Sequence, residues 1–355
     1  MEGKKYKIGS FNLHNLGISA FTNSRDLEGI AEMIRNENFD VVALQEILSE
    51  GKTFTKDDLP SSITKKSILG YLGEDWSFEW AYAKGDDPRH EGYGFVWNNK
   101  RLRLPTTEFL RSGSSVKRTY YPRMLSINNE QMARKPYLGR FTAQGIPGGS
   151  NFELRLICVH TYFGQKDDAL DREKRQNELD VLLKDIYPQV AEKDKYRDGI
   201  NAYTILLGDY NAELCTNKTK KIMVERVLGQ LAKAGKDISK LSPEDALKRR
   251  NREVFSMKTD EQGIVYSNRY NHMPVKTVQY GLTTLKKKIV GESEEFDDRG
   301  YASNYDHFSY NEQQFEDIKI KYYRIDAVQK YKADDYKAYF DTVSDHVPIA
   351  LEITF

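Results

Sequence analysis

An ionisable triplet, Ser344-Asp345-His346, stands directly before the apolar run Val347 to Ile353, at the mouth of a strand. Four further apolar runs end in polar groups. Ile8-Gly9-Ser10-Phe11 leads into Asn12, and Val41-Val42-Ala43-Leu44-Gln45 leads into Glu46. Leu156-Ile157-Cys158-Val159 leads into His160, and Leu206-Leu207-Gly208 leads into Asp209-Tyr210-Asn211. A buried strand needs none of these groups for its own burial. Polar side chains gathered where strands open into loops are candidates for chemistry.

The chemistry follows from the residue types. Glu46 and Asp345 offer hard anionic oxygens and Asn12 a neutral one, a donor set for Mg²⁺ or Mn²⁺. Zn²⁺ is disfavoured, because no Cys or His cluster has zinc spacing. His160 and His346 titrate near neutral pH and suit proton transfer. The preferred assignment has His346 activating water and His160 protonating a leaving oxygen. Asp209 and Asn211, two residues apart, would share one side of an extended segment and reach the same phosphate or water. The same pair also reads as an ordinary turn after a strand, with Gly208 fitting that turn. Arg134 is a candidate phosphate clamp, since a guanidinium can hold two phosphate oxygens. Lys117, Arg118 and Arg123 interleave with Tyr120 and Tyr121, a pattern of nucleic-acid grooves and equally of a solvated loop. His14, His90, His272 and His307 have no evident partner. His307 follows Asp306 and would point the other way on a strand.

Elements must position these groups. Residues 6–12 and 41–45 read as strands, and between them Leu27, Ile30, Ala31 and Ile34 recur at helical spacing behind Ser24 as N-cap. Residues 49–70 read as a loop with a short helix. Alternation predicts neighbouring strands at 78–82 and 93–97, and further strands at 137–143, 153–160 and 204–207. An amphipathic helix is expected over 167–187, with Leu170, Leu179, Leu182, Leu183 and Ile186 on one face. Residues 216–252 read as helical and basic, and strand-like pieces follow at 275–285, 305–310, 323–328 and 346–355. No linker or repeat divides the chain. One domain over 1–355 is expected, with a basic, helical insertion at about 215–275.

Composition narrows the setting. The chain has 355 residues, with Lys+Arg 54 against Asp+Glu 53, so it does not bind polyanions over its whole surface. A local basic face remains open. No apolar stretch approaches the ~20 residues of a membrane span, and no signal region precedes the first strand. The two cysteines, Cys158 in an apolar strand and Cys215, give no disulfide framework, and a reducing, cytoplasmic compartment is expected.

In order along the chain, Ser10-Phe11-Asn12-Leu13, Leu44-Gln45-Glu46, Glu91-Gly92-Tyr93-Gly94-Phe95, Val159-His160, Gly208-Asp209-Tyr210-Asn211, Tyr305-Asp306 and Ser344-Asp345-His346 resemble the deoxyribonuclease I-like superfamily, also called endonuclease/exonuclease/phosphatase. The resemblance runs from residue 8 to residue 351. It implies a four-layer α/β sandwich, two packed mostly antiparallel sheets flanked by helices. It also implies a divalent metal and hydrolysis of phosphate esters, with Glu91 orienting His160 and Asp306 orienting His346. Glu91 with Tyr93 and Phe95, and Arg134-Lys135-Pro136, are similar to the deoxyribonuclease branch. His160 stands where the abasic-site endonucleases usually carry Tyr.

Two functions emerge. The leading one is a metal-dependent phosphodiesterase, an endonuclease acting on nucleic acid, with DNA favoured over RNA. The alternative is a phosphatase or phosphodiesterase on inositol phosphates, lipid headgroups or another small ester. A catalytically dead binding module is disfavoured, because every expected polar position is filled.

Overall fold

The computed structural model describes residues 4–17, 25–48, 68–83, 91–105, 108–112, 115–119, 121–125, 132–143, 152–164, 169–192, 201–212, 263–266, 275–278, 281–285 and 300–355, with a few isolated positions at 228–242. Ser24, Tyr120, Cys215, His90, His272 and nearly all of 213–262 lie outside the described residues, as do the side chains of Lys117 and Arg118.

The first sheet runs β15 (Lys319–Arg324), β16 (Ile349–Thr354), β1 (Lys5–Leu16), β2 (Val41–Leu48), β4 (Glu91–Asn98) and β3 (Trp76–Tyr82). The second runs β12 (Gly263–Tyr266), β13 (Val275–Val278), β14 (Asp306–Tyr310), β11 (Asn201–Asp209), β10 (Phe152–His160), β9 (Tyr137–Ala143) and β5 (Leu102–Arg103). The short β8 (Arg123–Met124) pairs with β9, and β6 (Glu108–Ser112) and β7 (Ser115–Thr119) form a separate hairpin. Each large sheet is antiparallel except at one pair, β1 with β2 in the first and β10 with β11 in the second.

Both faces of the sheets are covered, which is why the central strands are continuous apolar runs rather than alternating ones. Between the sheets, Ile8, Val41, Phe95 and Leu351 pack against Phe141, Leu156, Ile205 and Phe308. Outside the first sheet, Val42, Leu44 and Ala350 meet Ile30, Met33 and Ile34 of α1 (Leu27–Asn36), Val328 of α5 (Ala327–Lys332) and Tyr339 of α6 (Tyr336–Thr342). Outside the second, Ile157, Val159 and Leu206 meet Leu179 of α3 (Ala169–Val181) and Leu182, Leu183 and Ile186 of the π-helical turn that follows. The turn continues into α4 (Tyr187–Glu192), and a short α2 (Ile68–Leu72) packs on α1 beside β3. The layers are helix, sheet, sheet, helix, as the motif resemblance implies.

Several local expectations change. The cap of α1 is Asp26, whose carboxylate accepts the Gly29 N–H at 2.8 Å. Leu170 is 67% exposed at the second position of the helix, which begins at Ala169, while its neighbour Asp171 is buried. The segment expected as a strand over 323–328 leaves the sheet at Arg324 and enters α5 at Ala327. The end of the expected helical insertion is β12, which extends the second sheet through β13. Gly208 is not a turn residue. It lies within β11 opposite Val159 and His307, with φ +142°. A Cβ there would stand 1.9 Å from the Val159 carbonyl oxygen, so only glycine lets the two parallel strands approach.

Gly208→Ala should therefore lose about 3 kcal/mol or more in urea unfolding, because a strained φ costs ~1–3 kcal/mol and overpacking a similar amount. A variant within about 0.5 kcal/mol of wild type, the range of an ordinary surface change, would contradict this contact.

Candidate active site

The two parallel pairs bring four strand ends together. Their C-terminal ends carry Asn12, Glu46, His160 and Asp209, and the loop before β16 adds Asp345 and His346. Parallel neighbours share a direction, so both pairs deliver their polar groups to one end of the sandwich.

Asp209 lies at the centre. Its carboxylate is 1% exposed, and its Oδ2 is 3.6 Å from His160 Nε2 and 3.6 Å from His346 Nε2. Asn12 Nδ2 donates at 3.0 Å to both Asp209 Oδ2 and Glu46 Oε1. Glu46 Oε1 is 3.9 Å from His160 Nε2. Burial pushes the Asp209 carboxyl up, against the pull of the two imidazoles.

Each imidazole is held from behind by a buried acid. His160 Nδ1 meets Glu91 Oε1, and His346 Nδ1 lies 2.8 Å from Asp306 Oδ2. Glu91 and Asp306 are 2% and 0% exposed. These partners take the Nδ1 hydrogen and aim Nε2 at Asp209. On β4, Tyr93 shares a face with Glu91, and its hydroxyl accepts the His160 backbone N–H at 2.9 Å. Burial lowers the basicity of His346, but the nearby carboxylates of Asp306, Asp209 and Asp345 outweigh it and hold the imidazole well above its ordinary pKa.

The backbone is strained where the site is built. His14, Asn15, Glu46 and Asn211 are non-glycine residues with φ of 45°, 61°, 57° and 46°. Such conformations persist only where surrounding bonds over-determine them. At Glu46 the β2 register shifts between Leu44 and Ile47, and the extra residue turns the carboxylate inward. Asn15 N–H donates to Glu46 Oε2 at 3.0 Å. The loop of His346 is strapped by Thr284, which bridges to it, and Ser344 Oγ donates to the Asn12 carbonyl at 2.7 Å.

Three sequence assignments change in this geometry. Arg134 is not a phosphate clamp. It is 1% exposed, with Nε 2.7 Å from Glu91 Oε2 and Nη1 donating to the carbonyls of His160 and Thr161 at 3.2 and 3.0 Å. Its charge offsets that of Glu91 behind the imidazole. Asn12 presents nitrogen to the carboxylates, because its Oδ1 accepts the His14 N–H at 2.9 Å. Among the described residues, the ligand atoms of Glu46, His160 and Asp209 all lie within 4.8 Å of one another, and Asp345 Oδ1 stands 3.9 Å from His346 Nε2. Asn211 does not continue an extended segment beside Asp209. Its N–H donates to Asp209 Oδ1 at 2.8 Å, and its Nδ2 donates to the Thr161 carbonyl at 2.9 Å.

Other residues fall away from the centre. His307 points to the far face, where burial lowers its pKa and its Nε2–H donates to the Ala212 and Asn304 carbonyls at 3.2 and 3.1 Å. Arg123 lies over the Tyr121 ring at 5.2 Å, with Arg140 also over that ring at 4.9 Å. β8, which carries Arg123, pairs with the end of β9 nearest His160. Cys158 is buried and free, within 3.1 Å of Gln45 Nε2. The sequence reading missed His14, whose neighbour Asp345 is 331 positions away in the chain. It also missed the hydroxyl of Tyr93 as a support for His160. The period-two spacing of Glu91 and Tyr93 was the available signal.

The donors fit a divalent cation. Glu46 and Asp209 converge with an imidazole nitrogen, and Glu91, Asp306 and Asp345 add further negative charge around them. Buried carboxylates this close repel one another, and a cation between them would relieve the repulsion.

No family model matches the chain, and no curated protein matches it. Solved structures do. An endonuclease/exonuclease/phosphatase family protein from Bacteroides thetaiotaomicron is 14% identical with TM-score 0.44, covering 100% of this chain and 99% of its own. D. rerio TDP2 complexed with a single-strand DNA product is 13% identical with TM-score 0.48, covering 99% of each chain. A mannosyl-6-phosphatase from Bacteroides thetaiotaomicron is 15% identical with TM-score 0.41, covering 99% of this chain and 100% of its own. Identities and scores this low carry no argument about chemistry. Among the described residues no helix is long and apolar enough to cross a membrane.

Arg134→Met should cost about 3–5 kcal/mol in thermal or urea unfolding, because it leaves Glu91 buried without its counter-charge. A phosphate clamp would instead leave stability unchanged and raise KM alone. The two covered sheets agree with the four-layer α/β sandwich that the motif order implies through its resemblance to the deoxyribonuclease I-like superfamily.

Proposed function

We propose that this protein is a metal-dependent phosphodiesterase whose substrate is nucleic acid, with DNA favoured over RNA. The single observation that carries the reading is the convergence of Glu46, Asp209, His160 and His346, with each imidazole backed by its own buried acid. A phosphodiester is anionic and has a poor leaving group. Its hydrolysis needs a cation, an activated water and a proton for the leaving oxygen.

Glu46 and Asp209 would hold the metal, and Mg²⁺ or Mn²⁺ suits the two carboxylates, which leaves His160 Nε2 for proton transfer. Bound there, the metal would polarise a phosphoryl oxygen. The two histidines carry the proton transfers, one accepting from water and the other donating to the leaving oxygen. Each faces three carboxylates, Asp306, Asp209 and Asp345 around His346 and Glu91, Asp209 and Glu46 around His160.

The substrate class rests on the hairpin β6–β7 and the strand β8. Lys117 and Arg118 lie on β7, and β8 joins the second sheet at the end that carries His160. A polymer several phosphates long could use these cations, whereas a small ester could reach few of them. Arg123 lies over the Tyr121 ring at 5.2 Å, and Lys117 and Arg118 are the cations tested.

Glu46→Gln keeps shape and removes charge, so metal-dependent turnover should collapse while unfolding remains near wild type. Full activity in excess EDTA, or in Glu46→Gln, would remove the metal from the mechanism. His160→Ala and His346→Ala should each lose ~10²–10⁴-fold in turnover. A variant keeping more than about a tenth of wild-type rate is not a proton carrier, since it misses the lower bound of that range.

Substrate is tested with Mg²⁺ or Mn²⁺ on plasmid DNA, single-stranded DNA, RNA, inositol phosphates and sphingomyelin. Lys117→Ala with Arg118→Ala should flatten the salt dependence of DNA binding by about 1.8, at ~0.9 per phosphate contact. Hydrolysis of a small chromogenic phosphodiester should be unchanged. Cleavage of inositol phosphate or sphingomyelin without any nucleic acid would hand the assignment to the small-ester alternative.

A further inference from the structure

Three residues beyond His160, Phe163 stands 51% exposed. Leu170, in the first turn of α3, is open to water as well. The two belong to one patch. Gly164 and Asp171, their neighbours in the chain, approach so closely that a Cβ on Gly164 would stand 2.3 Å from the Asp171 carboxyl carbon. Lys174, one turn after Leu170, holds its Nζ over the Tyr162 ring at 5.0 Å. A single exposed apolar residue is ordinary on a protein surface. Here a phenyl ring, an aliphatic side chain and an ammonium gather beside a strand end that carries a catalytic histidine.

Buried charge holds the loop that carries Phe163. Asp171, Arg175 and Glu178 recur at helical spacing along α3, and all three are buried. Glu178 Oε2 accepts the Tyr162 N–H at 2.7 Å, and its Oε1 accepts the Ala133 N–H. Arg175 Nη1 donates to the Phe163 carbonyl. Thr161 N–H donates to the Asp209 carbonyl at 3.0 Å, and the Thr161 carbonyl accepts from Arg134 Nη1 and Asn211 Nδ2 at 3.0 and 2.9 Å. Gly164 closes the segment with φ +83°. Burying ionised groups is costly unless they are bonded, and these direct bonds to the backbone of one short loop. The backbone is pinned while the ring it carries stays in water. An aromatic presented in this way gives contact area at little cost in conformational entropy.

We propose that Phe163, with Leu170 and Lys174 beside it, is a stacking platform for an unpaired nucleobase, so that the protein takes single-stranded rather than duplex nucleic acid. This inference rests on the nucleic-acid reading above. Three residues of chain reach at most roughly 11 Å, which puts Phe163 at the rim of the site, beside the nucleotides that flank the scissile phosphate. Duplex bases hide their faces in the stack, whereas an unpaired base offers one to a ring. The Lys174 ammonium supplies a cation for the adjoining phosphate. A lipid surface, which also takes aromatic, aliphatic and cationic groups together, is the competing account of the same patch.

Binding of fluorescein-labelled single-stranded oligonucleotides to the full-length protein in EDTA tests the platform without cleavage. Stacking of one base predicts that Phe163→Ala weakens binding roughly 5- to 150-fold. Phe163→Leu should recover little of that loss, and Phe163→Trp should stay within about twofold of wild type, because the ring face is what the base needs. A duplex of the same length should bind wild type and Phe163→Ala alike. One abasic nucleotide moved along the strand should weaken wild type at a single position and leave Phe163→Ala insensitive there. Phe163 is exposed, so unfolding midpoints of the variants should match wild type and exclude a folding effect. Wild-type affinity in Phe163→Ala or in Phe163→Leu overturns the platform while the nucleic-acid reading stands. Loss of binding to phosphatidylserine vesicles in Phe163→Ala, with oligonucleotide binding unchanged, assigns the patch to a lipid surface instead. Wild type that binds no oligonucleotide of either form removes the nucleic-acid reading, and the platform falls with it.

Discussion

Asp209 is a carboxylate at 1% exposure with two imidazole nitrogens 3.6 Å away, and the site is organised around keeping that charge buried. An isolated carboxylate in such a place would take up a proton. Here the two imidazoles and the Asn12 amide face it, and each imidazole has its own acid behind it. Glu91 in turn leans on Arg134, so the chain of opposite charges runs from the centre into the core of the second sheet. Removing any one link leaves its neighbour buried and uncompensated, which is why these residues act as a unit.

Sheet geometry makes the convergence possible. Two parallel pairs, one in each sheet, end at the same edge of the sandwich, and their terminal residues are those that face Asp209. Gly208 permits the approach of β11 to β10, since any Cβ would strike the Val159 carbonyl. The β2 bulge does the opposite, adding a residue so that Glu46 turns in. The left-handed backbones of His14, Asn15, Glu46 and Asn211 lie in the loops and strand ends that carry the site, where hydrogen bonds rather than intrinsic preference fix them.

Much of this was legible in the residues. Apolar runs ending in Asn, Glu, His and Asp mark strands that open into a site, and such runs are hard to explain otherwise. The strands at 137–143, 153–160 and 204–207 follow from the same pattern, and the structure extends them by a few residues at most. The limits of the pattern are equally physical. Period and propensity do not show where a strand gives way to a helix at 325–327, nor that Leu170 in the first turn of α3 is exposed.

Sequence by itself determined the order of strands and the polar residues that end them, because burial on both faces demands long apolar runs and leaves ionisable groups only at their mouths. Tertiary structure alone decided which of those groups meet. Arg134 could not be separated from a surface arginine until β4 and β10 placed Glu91 and the His160 carbonyl around it. His14 had no partner within its own segment, and Asp345 reaches it only because β1 and β16 are antiparallel neighbours. Asn12 offers nitrogen rather than oxygen because a backbone N–H two residues on already occupies its carbonyl. Contacts across hundreds of residues depend on register and strand direction, which no local pattern encodes.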